Sequence, residues 1–405
     1  MQQDPSRRNP FPPGLILALC FATYLTVYLL RTNYSAAMPL MLQQLPMNEF
    51  QLGIVSSAFF ISYAAGQLVN GFIADAVNPG KFIIIALVGA ITMNAAMAAS
   101  HSLWALTAVW TCNGYCQSIF WGCLQRILSL HYGREKRTMV ATTMSASMVA
   151  GFILSWVVLR NFLQGHSWQS FFLFPAFGGA ILLMIWILVC RRVTASVPTS
   201  RALSPKNICR ALRLMAEKRL FLLCVICLSL GFIKESISVW GPTMIAQIMG
   251  IDLQTSSVIL LIIPLGNLAG IFWAKYLADK IKTSTIRTLI PLFSIIAGAS
   301  ILLLLVRDHM LLTTAALMVI VSAMSYGCNS VLLSMIPLLY TRYGIVSTLI
   351  GFFDFSSYIG ASVSSVVAGI LFAAGSWKLL PMLWLLAAAA ALIFALLAEK
   401  ITKQV

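Results

Sequence analysis

Charged side chains are scarce in this chain of 405 residues, where Asp, Glu, Lys and Arg together make up only 9% of the sequence. Ordinary soluble domains carry about 25% charged residues. So few charges cannot cover the surface of a water-soluble globule of this size, which excludes a cytosolic enzyme. The 60% of apolar residues also excludes an intrinsically disordered chain, because disordered chains have little apolar surface to bury. The composition therefore predicts a protein that crosses a membrane several times.

Catalytic and metal-binding motifs are also missing. The four His lie at the ends of predicted helices or in loops, and the nine Cys are scattered, mostly within apolar stretches. Cys224 and Cys227 have the spacing C-x-x-C, but no second pair or nearby His completes a metal site. The sequence also lacks a phosphate-binding Gly-Lys loop and a nucleophile elbow. These absences predict a protein that is not an enzyme and that holds no cofactor or metal.

Long apolar runs are what the sequence has in abundance. A membrane-spanning helix needs about 20 mostly apolar residues. Twelve runs meet this requirement, and they predict an all-α membrane protein with twelve transmembrane helices. The predicted spans are 14–38, 51–75, 81–99, 103–125, 139–162, 169–190, 220–249, 256–278, 288–306, 311–336, 346–373 and 379–398.

Basic residues outnumber acidic residues by 27 to 11, and their positions suggest why. With both chain ends assigned to the cytoplasm, 22 of the 27 Lys and Arg fall on the cytoplasmic side of the predicted spans. Such an excess is the usual mark of cytoplasmic loops in membrane proteins. The distribution predicts a multi-pass protein of the plasma membrane (a bacterial inner membrane) with both termini cytoplasmic. It also accounts for the positive charge without a nucleic-acid partner.

The two halves of the sequence repeat the same landmarks about 204 residues apart. Gly66 lies nine residues before Asp75, and Gly270 lies nine residues before Asp279. An Arg–Pro pair and a Lys–Pro pair, each eight residues apart, repeat in the same way. Parallel duplicated halves with a substrate site between them are typical of secondary transporters of the major facilitator type. The repeat predicts two pseudo-symmetric six-helix halves, 1–190 and 220–405, joined by a basic cytoplasmic linker, 191–219.

Ionisable side chains inside the predicted spans are the strongest functional signal, since each costs at least about 2.5–3.5 kcal/mol at a helix centre. Arg31 lies late in the first span with Tyr24 and Tyr28 on the same helical face. Lys234 holds the matching place in the seventh span. Two cations that face one cavity suit a solute with about two negative charges, such as a phosphate monoester. The alternative is that each cation pairs with a neighbouring acid or reaches the membrane interface.

Two acids accompany Lys234 as candidates for coupling or charge pairing. Glu235 is adjacent in sequence, but neighbours on a helix point about 100° apart, so it need not share the cavity of Lys234. Asp354 lies inside the eleventh span. It could carry a coupling proton, hold an ammonium group of the solute, or form a structural pair with Lys234. The sequence leaves these roles open.

Two further sets of polar residues are candidates for the cavity and for gates. Tyr63 and Gln67 lie one helical turn apart in the second span, which predicts a second polar face towards the cavity. Asp75 and Asp279 end the second and eighth spans on the cytoplasmic side. Because they repeat in both halves, they are predicted to gate the protein by pairing with basic residues in one state only. The alternative is a simple charge at a helix end.

Five stretches of the chain resemble the organophosphate:phosphate antiporter family of the major facilitator superfamily, which includes glycerol-phosphate and hexose-phosphate transporters. Together these stretches extend over most of the chain. They are YLTVYLLRTNYSAAMP in the first span, GFIADAVNPGKF after the second, NGYCQSIFWGCLQR in the fourth, KESISVWGPTM in the seventh and GFFDFSSYIGASV in the eleventh.

The resemblance implies roles for individual residues. It implies that Arg31 binds the phosphate group of the solute. Lys234 stands where the family usually has a second essential arginine, and Gln67 replaces a lysine of the glycerol-phosphate branch. The tyrosines that the resemblance places along the cavity are Tyr24, Tyr28, Tyr63 and Tyr358.

We therefore expect a monomeric secondary transporter in the lipid bilayer that moves a small phosphorylated or phosphonate organic anion by rocking between two states. Exchange for inorganic phosphate is the coupling that the family implies, and proton coupling through Asp354 or Glu235 is the alternative. A carboxylate or another organic anion is a second candidate solute, since paired cations do not demand phosphorus. A sugar-phosphate sensor is a candidate of a different class, because the same family contains receptor-like members.

Overall fold

The computed structural model describes residues 12–132, 136–162, 167–195, 212–213, 215–216, 220–249, 262–281, 284–306, 310–339 and 346–402. In the first part of the chain the helices are α1 (Pro13–Gln44), α2 (Glu49–Ala76), α3 (Pro79–Ala98), α4 (Leu103–Gln117), α5 (Phe120–His131), α6 (Arg137–Phe162) and α7 (Ser170–Val193). In the second part they are α8 (Phe221–Met249), α9 (Ile262–Lys280), α10 (Leu289–Leu305), α11 (Leu311–Ser330), α12 (Ile336–Leu339), α13 (Val346–Ala373) and α14 (Leu379–Thr402).

The architecture of twelve membrane-crossing segments confirms the fold class predicted from the sequence. Two of the predicted spans are not single helices. The fourth is divided into α4 and α5 at residues 118–119, and the tenth continues from α11 through a π-helical turn, Val331–Met335, into α12. Counting each of these pairs as one segment gives twelve within the described residues. Isolated π turns of this kind are common at functional sites.

The first helix is longer than the sequence predicts. It continues past Pro39 to Gln44, whereas the predicted span ends at residue 38. A proline is tolerated inside a membrane helix because neighbouring helices and side chains compensate the backbone groups it frees.

The helices have the length and the surface that a bilayer requires. Within the described residues, nine helical stretches are long and apolar enough to cross a membrane. Their outward faces expose large apolar side chains, such as Phe177, Leu188 and Leu312. Such a surface suits lipid rather than water, so the chain is a multi-pass membrane protein.

Packing between α2 and α13 joins the first and second parts of the chain near the short loop 45–48 between α1 and α2, here called the α1–α2 end. Ser57 and Ser362 approach to 2.6 Å between their hydroxyl oxygens. A Cβ atom on Gly53 would lie only 2.7 Å from the carbonyl oxygen of Ser365, so the two backbones touch there. Helices in membranes pack this closely where small residues face one another.

The predicted linker, 191–219, lies mostly outside the described residues, which include only 191–195, 212–213 and 215–216 of it. The division of the chain into halves at this segment stays a prediction.

Candidate functional site

Arg31 lies in the middle of α1, and its side chain is only 10% exposed. Its Nη1 donates a hydrogen bond of 3.1 Å to the hydroxyl of Tyr358 on α13. Aromatic rings surround the guanidinium, which strengthens its electrostatic interactions because water is excluded. The ring centroids lie 5.1 Å from Cζ for Tyr63 and Tyr358, 5.4 Å for Phe59, 5.6 Å for Phe60 and 5.8 Å for Tyr28.

Three side-chain amides hold the turn of α1 that carries Arg31. All three donate to the backbone carbonyl of Leu30, at 3.2 Å from Asn94, 3.3 Å from Asn113 and 2.9 Å from Gln117. These donors come from α3 and α4, so they fix the rotation of α1 about its axis. None of these three residues is among the site residues predicted from the sequence. The available signal was a pair of amides four residues apart in an apolar span.

Glu235 bridges the two cations. Its Oε1 lies 3.1 Å from Nζ of Lys234 and 3.7 Å from Nη2 of Arg31. The exposed fractions of the three side chains are between 7% and 10%. Lys234 also donates a hydrogen bond of 3.3 Å to Oδ1 of Asn329. Helical geometry had allowed Glu235 to point away from Lys234, but the structure places it between Lys234 and Arg31.

Asp354 is buried on α13, with an exposed fraction of 8%. Among the described residues its carboxylate forms no ion pair with Lys234 or Arg31, although it interacts electrostatically with both. The structural Lys234–Asp354 pair that the sequence left open is therefore replaced in this conformation by a Lys234–Glu235 pair.

A small cavity of about 40 Å³ adjoins the charged cluster, on the side of Arg31 that faces the α1–α2 end. This volume has room for about three water molecules. Among the predicted site residues, Tyr28, Arg31 and Glu235 line it. Its remaining lining residues, which sequence reasoning did not single out, are Thr32, Tyr34, Ser35, Ser56, Phe59, Phe60, Trp110, Phe152, Ser238, Val239 and Tyr326.

The other predicted cavity residues pack around the cluster without lining this cavity. The rings of Tyr63 and Tyr358 meet with centroids 4.4 Å apart and cover Arg31. Tyr24 packs against Tyr28 and Trp121, at centroid distances of 5.4 Å and 4.8 Å. The remaining members of this set are Gln67, Lys234 and Asp354, all three buried.

Closure at the α1–α2 end involves α1 and α8 directly. The Ser35 hydroxyl lies 3.0 Å and 2.9 Å from the carbonyl oxygens of Ser238 and Val239, to which it donates. These contacts lie about one helical turn beyond Arg31 and Glu235. The first and second parts of the chain are therefore in direct contact at this end of the cavity.

The two predicted gate residues are described unequally. The side chain of Asp75 lies outside the described residues, and Asp279 is exposed at the end of α9. Near Asp75, Arg126 donates hydrogen bonds to the backbone carbonyls of Ala74 and, at 3.0 Å, of Val77. The end of α2 is thus held by a cation from α5.

Curated relatives of this chain include proteins named for sugar phosphates. It is 22% identical to the membrane sensor protein UhpC of Escherichia coli over 289 residues, which is 66% of this chain and 64% of UhpC. It is 27% identical to a probable hexose phosphate transport protein of Chlamydia trachomatis over 42% of this chain and 37% of that protein. The glycerol-3-phosphate transporter of Bacillus subtilis is 26% identical over 46% of this chain and 42% of that protein. The chain thus matches less than two thirds of the length of these relatives.

Solved structures with the same fold cover nearly the whole chain. The nucleoside transporter NupG superposes with a TM-score of 0.71 at 15% identity, over 96% of this chain and 99% of NupG. A bacterial homologue of the lysosomal transporter Spinster, inward-facing and occupied, gives a TM-score of 0.74 at 14% identity, over 96% and 97%. At these identities the likeness shows the fold alone. The Major Facilitator Superfamily profile matches residues 20–365, and the chain therefore belongs to that superfamily.

Proposed function

We propose that this protein is a secondary transporter that moves a small phosphate- or phosphonate-bearing organic anion by alternating access. The observation that carries the proposal is the buried cluster in which Arg31 of α1 and Lys234 of α8 approach the same carboxylate beside a cavity. A planar guanidinium can bind two oxygens of a phosphate at once, and the ammonium adds a mobile point charge. The sugar-phosphate and glycerol-phosphate relatives support this class of solute.

The location of the cluster supports alternating access. The cations lie on helices from the two predicted halves, 1–190 and 220–405, and α1 and α8 are in contact at the α1–α2 end of the cavity. A rocking motion of the halves would open the cluster to one side of the membrane and then to the other. In this proposal Asp75 and Asp279 act at the opposite end as gates, and both termini face the cytoplasm of a bacterial cell.

Uptake into proteoliposomes tests the proposal. The panel contains a hexose phosphate, glycerol phosphate, aminoethylphosphonate, inorganic phosphate and the carboxylates succinate and citrate, each with and without a pH gradient. Saturable uptake of a phosphate or phosphonate that is lost in Arg31→Ala supports the proposal. Uptake of carboxylates alone would instead identify another organic anion as the solute, and stimulation by internal phosphate would identify exchange. Equal uptake by empty liposomes and by liposomes that contain the protein would refute transport.

A sensor is the second candidate, because the sensor UhpC matches 66% of this chain, against 42% and 46% for the hexose phosphate and glycerol-3-phosphate relatives. A sensor would bind a sugar phosphate in the same cluster but move little of it. Binding measured in detergent together with flux measured in proteoliposomes separates the two. Tight binding without flux would favour the sensor.

A further inference from the structure

Glu235 occupies the place where a bound anion would make its contacts. One of its oxygens approaches both cations, at 3.1 Å from Lys234 and 3.7 Å from Arg31. Glu235 and Arg31 also line the cavity, whereas Lys234 is not among its lining residues. An anion that enters the cavity therefore meets cations that already have a negative partner. It can bind both of them only if the carboxylate of Glu235 moves aside.

Displacement has an electrostatic consequence. A buried carboxylate that loses both cations is an uncompensated charge in a medium of low dielectric constant, which is strongly unfavourable. The least costly response is for the carboxylate to take up a proton. The two ionic states of Glu235 would then match the two states of the site, ionised when the site is empty and protonated when an anion is bound.

We infer that Glu235 is an internal counter-anion that couples the solute to a proton and lets the empty protein change its conformation. This inference rests on the proposed transport of an anion. On entry, a proton from water on that side binds the Glu235 carboxylate as the solute takes over Arg31 and Lys234. On the other side the solute leaves, the proton is released to water, and the carboxylate returns to the cations. Because both cations again share a negative partner, the protein can return without a second anion, so exchange is not obligatory.

Asp354 does not take this role, because it forms no ion pair with either cation among the described residues. α14, which packs on α8, contributes an indole donor to Ser236 rather than a titratable group facing Glu235 within the described chain. The titratable or charged groups around Glu235 are Arg31 and Tyr28 of α1, Lys234 of α8, Tyr326 of α11, and Tyr358 and Asp354 of α13.

Binding of inorganic phosphate to Glu235→Gln is the first test. The amide keeps the size of the side chain but cannot compete for the cations as a charge. We expect it to bind phosphate about tenfold more tightly than the unmodified protein at neutral pH. The advantage should shrink as the pH falls, because protonation of Glu235 removes the competition in the unmodified protein. The titration of phosphate itself affects both proteins equally, so it cancels in the ratio of their two affinities at each pH. Weaker binding by Glu235→Gln, or a ratio that does not change with pH, would overturn the inference.

Net uptake is the second test. The solute is the member of the panel that shows the highest uptake. Proteoliposomes without internal anion should accumulate it when the outside is acidic. In Glu235→Gln the ratio of net uptake to exchange should fall by about tenfold or more. Glu399→Gln is the matched control, since Glu399 lies on α14 away from the cavity and pairs with Arg287 at 3.5 Å. Uptake by the unmodified protein only into liposomes preloaded with anion would overturn the inference while leaving the proposed transport intact. Absence of both net uptake and exchange for every solute would refute the proposed transport instead.

A measurement on the empty protein keeps the inference testable in that last case. Lys81 and Lys280 are exposed, and each is replaced by Cys to carry a spin label, while the exposed Cys112 is replaced by Ser. The distance between the two labels reports the separation of the two parts of the chain at the end opposite the α1–α2 end. The empty unmodified protein should populate two distances. Glu235→Gln should populate only one, because its two buried cations are uncompensated in the closed centre. Two distances in both proteins would contradict the role of Glu235.

Discussion

At the scale of single residues, the main feature of the protein is Arg31, whose guanidinium is surrounded by aromatic rings. The rings of five aromatic side chains lie within 6 Å of the Arg31 guanidinium, and a tyrosine hydroxyl accepts one of its hydrogen bonds. The rings exclude water, and the hydroxyl fixes the orientation of the guanidinium plane. Nη2 of Arg31 lies 3.7 Å from the Glu235 carboxylate, and it becomes available to an anion when that carboxylate moves aside.

Replacing Tyr358 with Phe removes that hydroxyl and keeps the ring. A hydrogen bond to a charged group is worth about 1.5–3 kcal/mol, so we expect the affinity for a transported phosphate ester to fall by about tenfold or more. The measurement is the concentration dependence of uptake in proteoliposomes. Tyr115→Phe is the control, because Tyr115 is exposed on α4. A Tyr358→Phe protein with the affinity of that control would show that the hydroxyl does not orient Arg31.

Asn94→Leu removes a buried amide that connects α1 and α3. Asn94 donates to Leu30 and accepts a hydrogen bond of 2.7 Å from Asn33. Because the substitution leaves buried polar groups without these partners, we expect a loss of about 1–3 kcal/mol in stability, seen as a lower melting temperature in detergent. Thr107→Val is the control, since the Thr107 hydroxyl bonds only within its own helix, to Leu103. Equal melting temperatures for the two variants would contradict the structural role of Asn94.

At the scale of helices, the apolar runs were enough to predict the twelve segments but not their interruptions. A run of apolar residues reports that a segment can lie in hydrocarbon. It does not report which side chain faces a neighbouring helix, and that depends on how the helices pack. The division between α4 and α5 and the π turn at Val331–Met335 escaped prediction for this reason. So did the orientation of Glu235, whereas Arg31 and Lys234 were predictable because a charge inside a span is a signal in itself.

Close packing of α2 on α13 gives a prediction about conformation. The Cβ of a Leu at position 53 would lie 2.7 Å from the Ser365 carbonyl, so Gly53→Leu should open the α1–α2 end. Overpacking costs about 1–3 kcal/mol, which shifts a two-state equilibrium by about 5- to 150-fold. We expect faster labelling of a Cys placed at Ser362 and slower uptake.

Gly178→Leu is the matched control for this variant, because no atom lies within 4 Å of a Cβ at that position on α7. If Gly53→Leu labelled no faster than Gly178→Leu, the contact between α2 and α13 would not control access at this end.

At the scale of the whole molecule, the distribution of charge predicts the orientation in the membrane. With 22 of 27 Lys and Arg assigned to one side, a green fluorescent protein fused after the last residue should fluoresce in Escherichia coli, because it folds in the cytoplasm. Alkaline phosphatase fused after Phe162, at the end of α6, should be active because that point is predicted to face the periplasm. The opposite pattern would invert the topology and place the α1–α2 end in the cytoplasm.

The central claim is that Arg31 and Lys234 act together on one anion. Calorimetric titration of the purified protein with the phosphate ester that shows the highest uptake tests it most directly. We predict that Arg31→Ala and Lys234→Ala each weaken binding by about 10- to 100-fold, and that the double variant loses less than the two single losses combined, since the residues share one ligand. Unchanged affinity in both single variants would contradict the claim.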